Sequence, residues 1–174
     1  MKPQSTLRNS LCTQSDFPLK DITEKIISCA IEVHSILGPG LLESIYEEAV
    51  ACEFNLRKVR HERQKEINLR YKSKDIGKHR IDFLIENKVI VELKAVETMH
   101  RIYEAQLLTY MRALETRVGL LINFNVVRLK DGIKRLILWR TQRRDNRTQL
   151  ELLKTKSFSV TSVVITALDK NEIA

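Results

Sequence analysis

The stretch His79-Arg-Ile-Asp-Phe-Leu-Ile-Glu-Asn-Lys-Val-Ile-Val-Glu-Leu-Lys-Ala95 alternates apolar and polar side chains in two runs. Ile81, Phe83 and Ile85 mark the first, and Val89, Val91 and Leu93 the second. That is the period-two pattern of two strands sharing a buried face. Glu86-Asn87-Lys88 between them suits a short hairpin turn, because asparagine tolerates left-handed backbone. Keeping all six apolar residues on one face requires pairs such as Phe83 with Val91. The same register sets Asp82 across from Glu92 on the opposite face, with Lys94 two residues further along. Like charges directly opposed on a sheet have Cβ atoms about 5 Å apart and destabilise it. A divalent cation removes that repulsion and makes the pair a hard-oxygen site of the kind magnesium prefers. An exposed sheet face on which the acids pair with Lys or Arg accounts for the same spacing, and spacing alone tips slightly toward it.

Outward from this hairpin, the chain reads as alternating helices and strands. Asp21 with Glu24 three residues later is a capping-box-like start. Ile22, Ile26, Cys29 or Ala30, Val33 and Leu37 then keep helical spacing. Gly38-Pro39-Gly40 ends that helix and hinges into a second, Leu41 to about Arg57. Ile67, Leu69 and Tyr71 alternate as a strand ahead of the hairpin. A third helix, about His100 to Glu115, precedes strands at Val118 to Phe124 and Ile133 to Trp139. The order helix-helix, three strands, helix, two strands predicts an α/β fold with helices packed on a mixed sheet. Residues 1–18 read as a loose leader and 141–174 as an extension. Within that extension Arg140 to Arg147 is a basic run, Thr148 to Lys156 suits a helix, and Ser157 to Leu168 suits a strand given a partner.

Two helical pairs add candidate site residues. Glu43 and Tyr46 are three apart and share one face of the second helix; Gln106 and Tyr110 are four apart and share one face of the third. By itself Glu43 is an acid near a helix N-terminus, where the dipole favours negative charge. Tyr46 reads as a packing residue whose hydroxyl finds a polar partner, with contact to a phosphate as the other role. Gln106 can orient a water or a phosphate oxygen by donating and accepting together, and Tyr110 is either core or site lining. The four histidines show no metal-binding spacing: His34 and His100 read as helix residues, His61 and His79 as surface.

Asp82 followed by Glu92-Leu93-Lys94 on the next strand resembles the PD-(D/E)XK nuclease superfamily, whose signature is an Asp ending one strand and Glu-x-Lys on its hairpin partner. Gly40, Glu43 and Tyr46, within Gly38-Pro-Gly-Leu-Leu-Glu-Ser-Ile-Tyr46, resemble the motif that names the GxxExxY protein family. Glu104-Ala-Gln-Leu-Leu-Thr-Tyr110 and Gly119-Leu-Leu-Ile-Asn-Phe-Asn125, followed by Arg128 to Lys134, look like two further blocks of it. The resemblance covers roughly residues 19–140. Ile81 stands where the superfamily name has proline, Tyr71 to Lys78 is shorter than usual, and Tyr103 stands where relatives often carry histidine.

This resemblance implies a restriction-endonuclease-like core over 19–140 and a magnesium-dependent nuclease, with manganese as a substitute ion. It implies Asp82, Glu92 and Glu43 as metal ligands and Asp82, Glu92, Lys94, Glu43 and Gln106 as the catalytic set. Tyr46 and Tyr110 would be substrate contacts, and the products would carry a 5′-phosphate and a 3′-hydroxyl. Lys94 would orient or deprotonate the attacking water, or stabilise charge developing at phosphorus. The partner expected is nucleic acid, DNA before RNA. The alternative is a catalytically silent module of the same fold that binds nucleic acid or a protein partner.

Composition agrees with these expectations. A chain of 174 residues with 43% hydrophobic content suffices for one domain with a real core. A formal charge of +8 and a pI near 9.5 suit a phosphate polymer as partner. No apolar run approaches the ~20 residues that cross a bilayer, and no signal-peptide core follows Met1. Cys12, Cys29 and Cys52 are odd in number and widely spaced, which predicts no disulfide framework or zinc site and a cytoplasmic location. Oligomeric state leaves no mark in the sequence.

Overall fold

A computed structural model describes residues 18–138 and the short strand Ile165–Thr166. The leader before Pro18, the basic run Arg140 to Arg147 and the expected helix Thr148 to Lys156 lie outside the described residues.

The first helix, α1, spans Lys20–Leu37 and buries Ile26, Cys29, Ala30 and Val33, the periodic residues of its sequence. Its start corrects the capping-box expectation. Leu19 occupies the N-cap in a left-handed conformation with no side-chain cap, and Asp21 lies inside the first turn. There its charge still opposes the positive end of the dipole, while the Thr23 hydroxyl donates back to Lys20 O. Gly38 (φ 67) and Gly40 (φ 98) hold positive φ on either side of Pro39, a conformation that favours glycine. They turn the chain into α2, Glu43–Leu56, which starts two residues later than the sequence suggests because Leu42 remains extended.

Strand β1 (His61–Tyr71) forms a long hairpin with β2 (Lys74–Ile85), and β2 pairs antiparallel with β3 (Val89–Lys94). Helix α3 (Arg101–Ala113) then crosses over to β4 (Val118–Asn123), which lies parallel to β3. A 3-10 turn, Leu129–Gly132, leads into β5 (Ile133–Ile137), antiparallel to β4. Ile165–Thr166, β6, pairs with β5 within the stretch expected to become a strand if it found a partner. The sheet is mixed, in the order β1-β2-β3-β4-β5-β6, and the order of elements matches the α/β expectation with β6 added at the edge.

Both faces of the sheet are covered. Phe83, Ile85, Val89, Val91, Leu93, Leu120 and Ile122 pack with the buried sides of α1 and α2. Leu84, Ile90 and Leu121 pack with Leu107, Tyr110 and Met111 of α3. Every residue of β4 is buried, and of β3 all but Lys94, as in strands enclosed between helices. The Phe83–Val91 register is as expected, but Ile81 is not on the face of its five partners. It packs with Ile67, Leu84 and Ile90 on the α3 side. The β2–β3 ladder stops at Phe83–Val91, and Gln64, on β1 between the partners of Phe83 and Ile81, has φ 51. With no ladder on one side and a left-handed neighbour on the other, the pleat of β2 breaks at Asp82.

Gly119 and Gly132 are required by close approach. A Cβ at Gly119 would meet Met111 Sδ at 2.7 Å and Leu107 Cγ at 3.0 Å, so its absence lets α3 lie close on β4. A Cβ at Gly132 would run into the backbone oxygen of Asn123, which unlike a methionine tip has nowhere to go. Gly132→Ala is therefore expected to destabilise the fold by about 1–3 kcal/mol, the usual range for overpacking. Urea unfolding checks it, and an unchanged midpoint would contradict the packing described.

Candidate active site

The break in β2 builds the site. One step beyond the last β2–β3 pair, Asp82 turns its side chain to the partner strand, and Leu93 N–H donates to Asp82 Oδ2 at 2.8 Å. The carboxylate thus takes up a strand amide at the point where the β2–β3 ladder has ended. Glu92 and Lys94 fall on the α3 side of β3, by alternation with Val91 and Leu93. Lys94 Nζ accordingly lies 5.9 Å from the centre of the Tyr103 ring on α3.

Lys94 Nζ is 3.8 Å from Glu92 Oε2 and donates to Glu43 Oε1 at 3.1 Å and to the adjacent carbonyl of Leu93. The amine therefore shares a side with the acids and does not point into the apolar core. Glu43 reaches it from the first turn of α2, and the Gly38-Pro39-Gly40 turn sets where that helix begins. Tyr46 secures the turn: its hydroxyl donates to Gly38 O at 2.6 Å and accepts from Leu41 N–H at 3.1 Å. Its ring is fully buried and stacks on Phe124 with centroids 4.4 Å apart. Tyr46 is thus enclosed in protein, as its packing reading expected, with its hydroxyl engaged by the turn.

Glu92 is 6% exposed and its Oε1 has no hydrogen-bond partner among the described residues. Such a buried, unpaired carboxylate oxygen is rare in folded proteins and asks for an explanation. Burial first, and then the charge of Asp82, push the Glu92 carboxyl up from 4.5 to about 8, with Lys94 opposing. Burial likewise pushes Asp82 from 3.8 to about 6, against the Leu93 amide and Lys94. Two acids resisting ionisation side by side are the electrostatic signature of a cation site or of acid–base chemistry.

On α3, Gln106 donates to the Tyr110 hydroxyl, which shares a 2.9 Å hydrogen bond with His79 Nε2. Burial pushes the Tyr110 hydroxyl up to about 12, against the Gln106 bond, with the charges of Glu92 and Asp82 adding to the rise. Gln106 and Tyr110 therefore form one polar chain beside the acids, and Tyr110 is 2% exposed.

Two residues were missed by sequence reasoning. His79 is exposed, as expected of a surface residue, yet its ring lies 4.7 Å from that of Tyr110 and ends the polar chain. Only its position three residues before Asp82 hinted at this. Asn123 is buried at the end of β4 opposite Lys94. Its side chain accepts from Val96 N–H at 3.0 Å and donates to Val96 O at 2.8 Å, fixing the chain just after Lys94. A lone asparagine closing the apolar run Gly119 to Ile122 was the available signal. His100 sits at the N-cap of α3, outside the helix it was assigned to.

Asp82 and Glu92 fit a divalent ion by their unpaired oxygen, hard donors and mutual repulsion. Glu43, the expected third ligand, is engaged with Lys94, and no three His, Cys, Asp or Glu side chains among the described residues are already grouped as a ligand set. A cavity of about 620 Å³ between α1 and the end of α2, lined by Lys25, Ser28 and Arg57 among others, includes none of these residues. No described helix is long and apolar enough to cross a membrane, and Cys29 and Cys52 are free thiols.

A search of curated proteins and one of solved structures each return no match. A family model described as the PD-(D/E)XK nuclease superfamily matches residues 20–136, the span from the start of α1 to the penultimate residue of β5. That span holds every side chain just described and well over half of the sequence, and the chain belongs to the PD-(D/E)XK nuclease superfamily.

Proposed function

We propose that this protein is a magnesium-dependent nuclease that hydrolyses phosphodiester bonds, in DNA before RNA, at Asp82, Glu92 and Lys94. The observation that carries the reading is the acidic pair of half-buried Asp82 and buried Glu92, whose Oε1 has no hydrogen-bond partner among the described residues, next to an ammonium. Gly40, Glu43 and Tyr46 support the narrower GxxExxY membership.

Asp82 and Glu92 would hold the ion, which supplies neutralisation of the phosphate charge and acidifies water. Asp82 is held in place by the Leu93 amide, so its oxygen is positioned before any ligand arrives. Lys94, steered by Glu43, presents its ammonium to the charge that grows on a phosphate oxygen during attack. Gln106, held by Tyr110 and His79, offers its remaining amide atoms to a water or phosphate oxygen.

End-labelled duplex DNA incubated with the full chain and magnesium tests the reading. Cleavage to products with 5′-phosphates, stopped by EDTA, is the expected result. Absence of cleavage with magnesium or manganese, while the ion still binds, would replace it with the silent binding module.

A further inference from the structure

Beyond Asp82 the β1–β2 hairpin leaves the sheet. Among the described residues, Lys74 to Arg80 pair with β1 alone and β1 is the sheet edge, so this part is a two-stranded ribbon that touches α3 through His79 at its root, while Ile81 below it is packed in the core. Ile67 anchors its root against α3, and every residue from Arg70 to Arg80 is exposed. An isolated two-stranded hairpin is marginally stable in water, and one kept this long and this wet suits a partner that clasps it.

Its charge names the partner. Glu66 to Arg80 holds five Lys or Arg against two acids. Arg70 meets Asp75 at 2.7 Å, while Lys78 and Arg80 share the single carboxylate of Glu66. Lys74 has no ion pair among the described residues, and Lys72 has only the Tyr71 ring, at 5.5 Å. The paired side chains are themselves 55–70% exposed, and exposed pairs are weak enough for a phosphate to compete. Tyr71 and Ile76, 63% and 62% exposed, add apolar surface among the cations.

We propose that this ribbon is a duplex-DNA arm that lies in the major groove and brings a phosphodiester to the Asp82–Glu92 pair at its root. The delivery to that pair rests on the nuclease reading; the binding does not. Two strands about 4.8 Å apart with their side chains match a groove about 12 Å wide, which admits a two-stranded β-ribbon. From Lys74 to Arg80, the exposed part, the arm runs roughly 20 Å at about 3.3 Å per residue, enough to follow several base pairs. The A-form major groove of duplex RNA is too narrow and deep for it, so the arm selects B-form DNA. Lys72 and Lys74 at the tip meet phosphates, and Ile76 offers an apolar contact to a thymine methyl.

The test is binding of the full chain, in EDTA so that turnover plays no part, to a 24-base-pair DNA duplex, the matching RNA duplex and the single DNA strand (a length of about two helical turns). The DNA duplex is expected to bind at least tenfold more tightly than the RNA duplex. Lys72→Gln with Lys74→Gln should weaken DNA-duplex binding at least tenfold and lower the slope of log affinity against log salt by about 2. Circular dichroism confirms that this variant is folded. Lys25→Gln with Lys58→Gln, on the far cavity, should change binding less than twofold. Equal binding of RNA and DNA duplexes, an unchanged arm variant, or an equal loss in the Lys25/Lys58 variant overturns the proposal. Tight arm-dependent binding without any metal-dependent cleavage would keep the arm and remove the nuclease reading.

Discussion

Glu92→Gln is expected to abolish cleavage while making the metal-free protein more stable at alkaline pH. The substitution keeps the shape of a side chain that is 6% exposed and removes the charge that burial and Asp82 both oppose. In the wild type at pH 9, above the pKa of about 8, the carboxylate is ionised, with Oε1 lacking a partner among the described residues. Leaving a buried polar atom unpaired costs about 1–3 kcal/mol, and more when it is charged. The amide leaves an unpaired group too, but a neutral one, so the balance favours the variant above the pKa of about 8 and fades below it. The gain reads as roughly 2–4 °C in Tm for each kcal/mol relieved at this chain length. Activity moves the other way. The cradle loses half its negative charge, and among the described residues Lys94 keeps Glu43, at 3.1 Å, as its carboxylate partner. Loss of one charge-stabilising group at a reaction centre typically costs about 10²–10³ in rate, and loss of an ion-holding carboxylate is expected at or beyond that range. Activity within tenfold of wild type would remove Glu92 from the site. A lower Tm at pH 9 would mean that the Lys94 ammonium, 3.8 Å from Oε2, stabilises the ionised carboxylate by more than its burial costs.

The parts of this architecture legible in the sequence are those set by local periodicity. Phe83 opposite Val91 follows from keeping apolar residues on one face, and that register sets Asp82, Glu92 and Lys94 at one end of the hairpin, where the break in β2 then turns Asp82 to β3. Gly38 and Gly40 were legible as a hinge, and both hold the positive φ that favours glycine at such a turn. What could not be read depends on contacts between distant elements. Ile81 keeps strict alternation in sequence, but the ladder that would enforce it ends at Phe83, so its side is decided by α3. Helices flanking the sheet were legible from the order of elements, but period-two patterning does not say that Leu84 and Ile90 meet α3 on the side opposite Phe83 and Val91. The hydrogen bond from Lys94 to Glu43 joins residues 51 apart in the chain, a contact that helical or strand spacing does not report. His79 and Asn123 act through Tyr110 and Val96, partners about 30 residues distant, and no spacing rule reports such pairs. Tyr46 shows the same limit at short range: its helical position was evident, but not that both its hydrogen bonds would be spent on the turn before its own helix.

Magnesium binding at the acidic pair is expected to release protons, and the pH dependence of that release reports on both acids. Without metal, the unfolded chain loses the Glu92 proton near 4.5 while the folded protein keeps it to about 8. The folded state thus binds more protons through that window, so stability falls as pH rises across it and is flat with respect to this group above it. Asp82 contributes the same sign between 3.8 and about 6. A divalent ion selects the ionised pair, so binding at pH 7 must expel the Glu92 proton, about one per ion. At pH 9.5 both groups are already ionised, and release should fall close to zero while affinity reaches its plateau. Magnesium should accordingly raise Tm more at pH 9 than at pH 6, reversing the alkaline loss of the metal-free protein. Calorimetry in buffers of differing ionisation enthalpy counts the protons, and Asp82→Asn, which can still accept the Leu93 amide, should abolish the uptake with the fold intact. Affinity that is independent of pH, with no proton released at pH 7, would show that the ion binds somewhere other than Asp82 and Glu92.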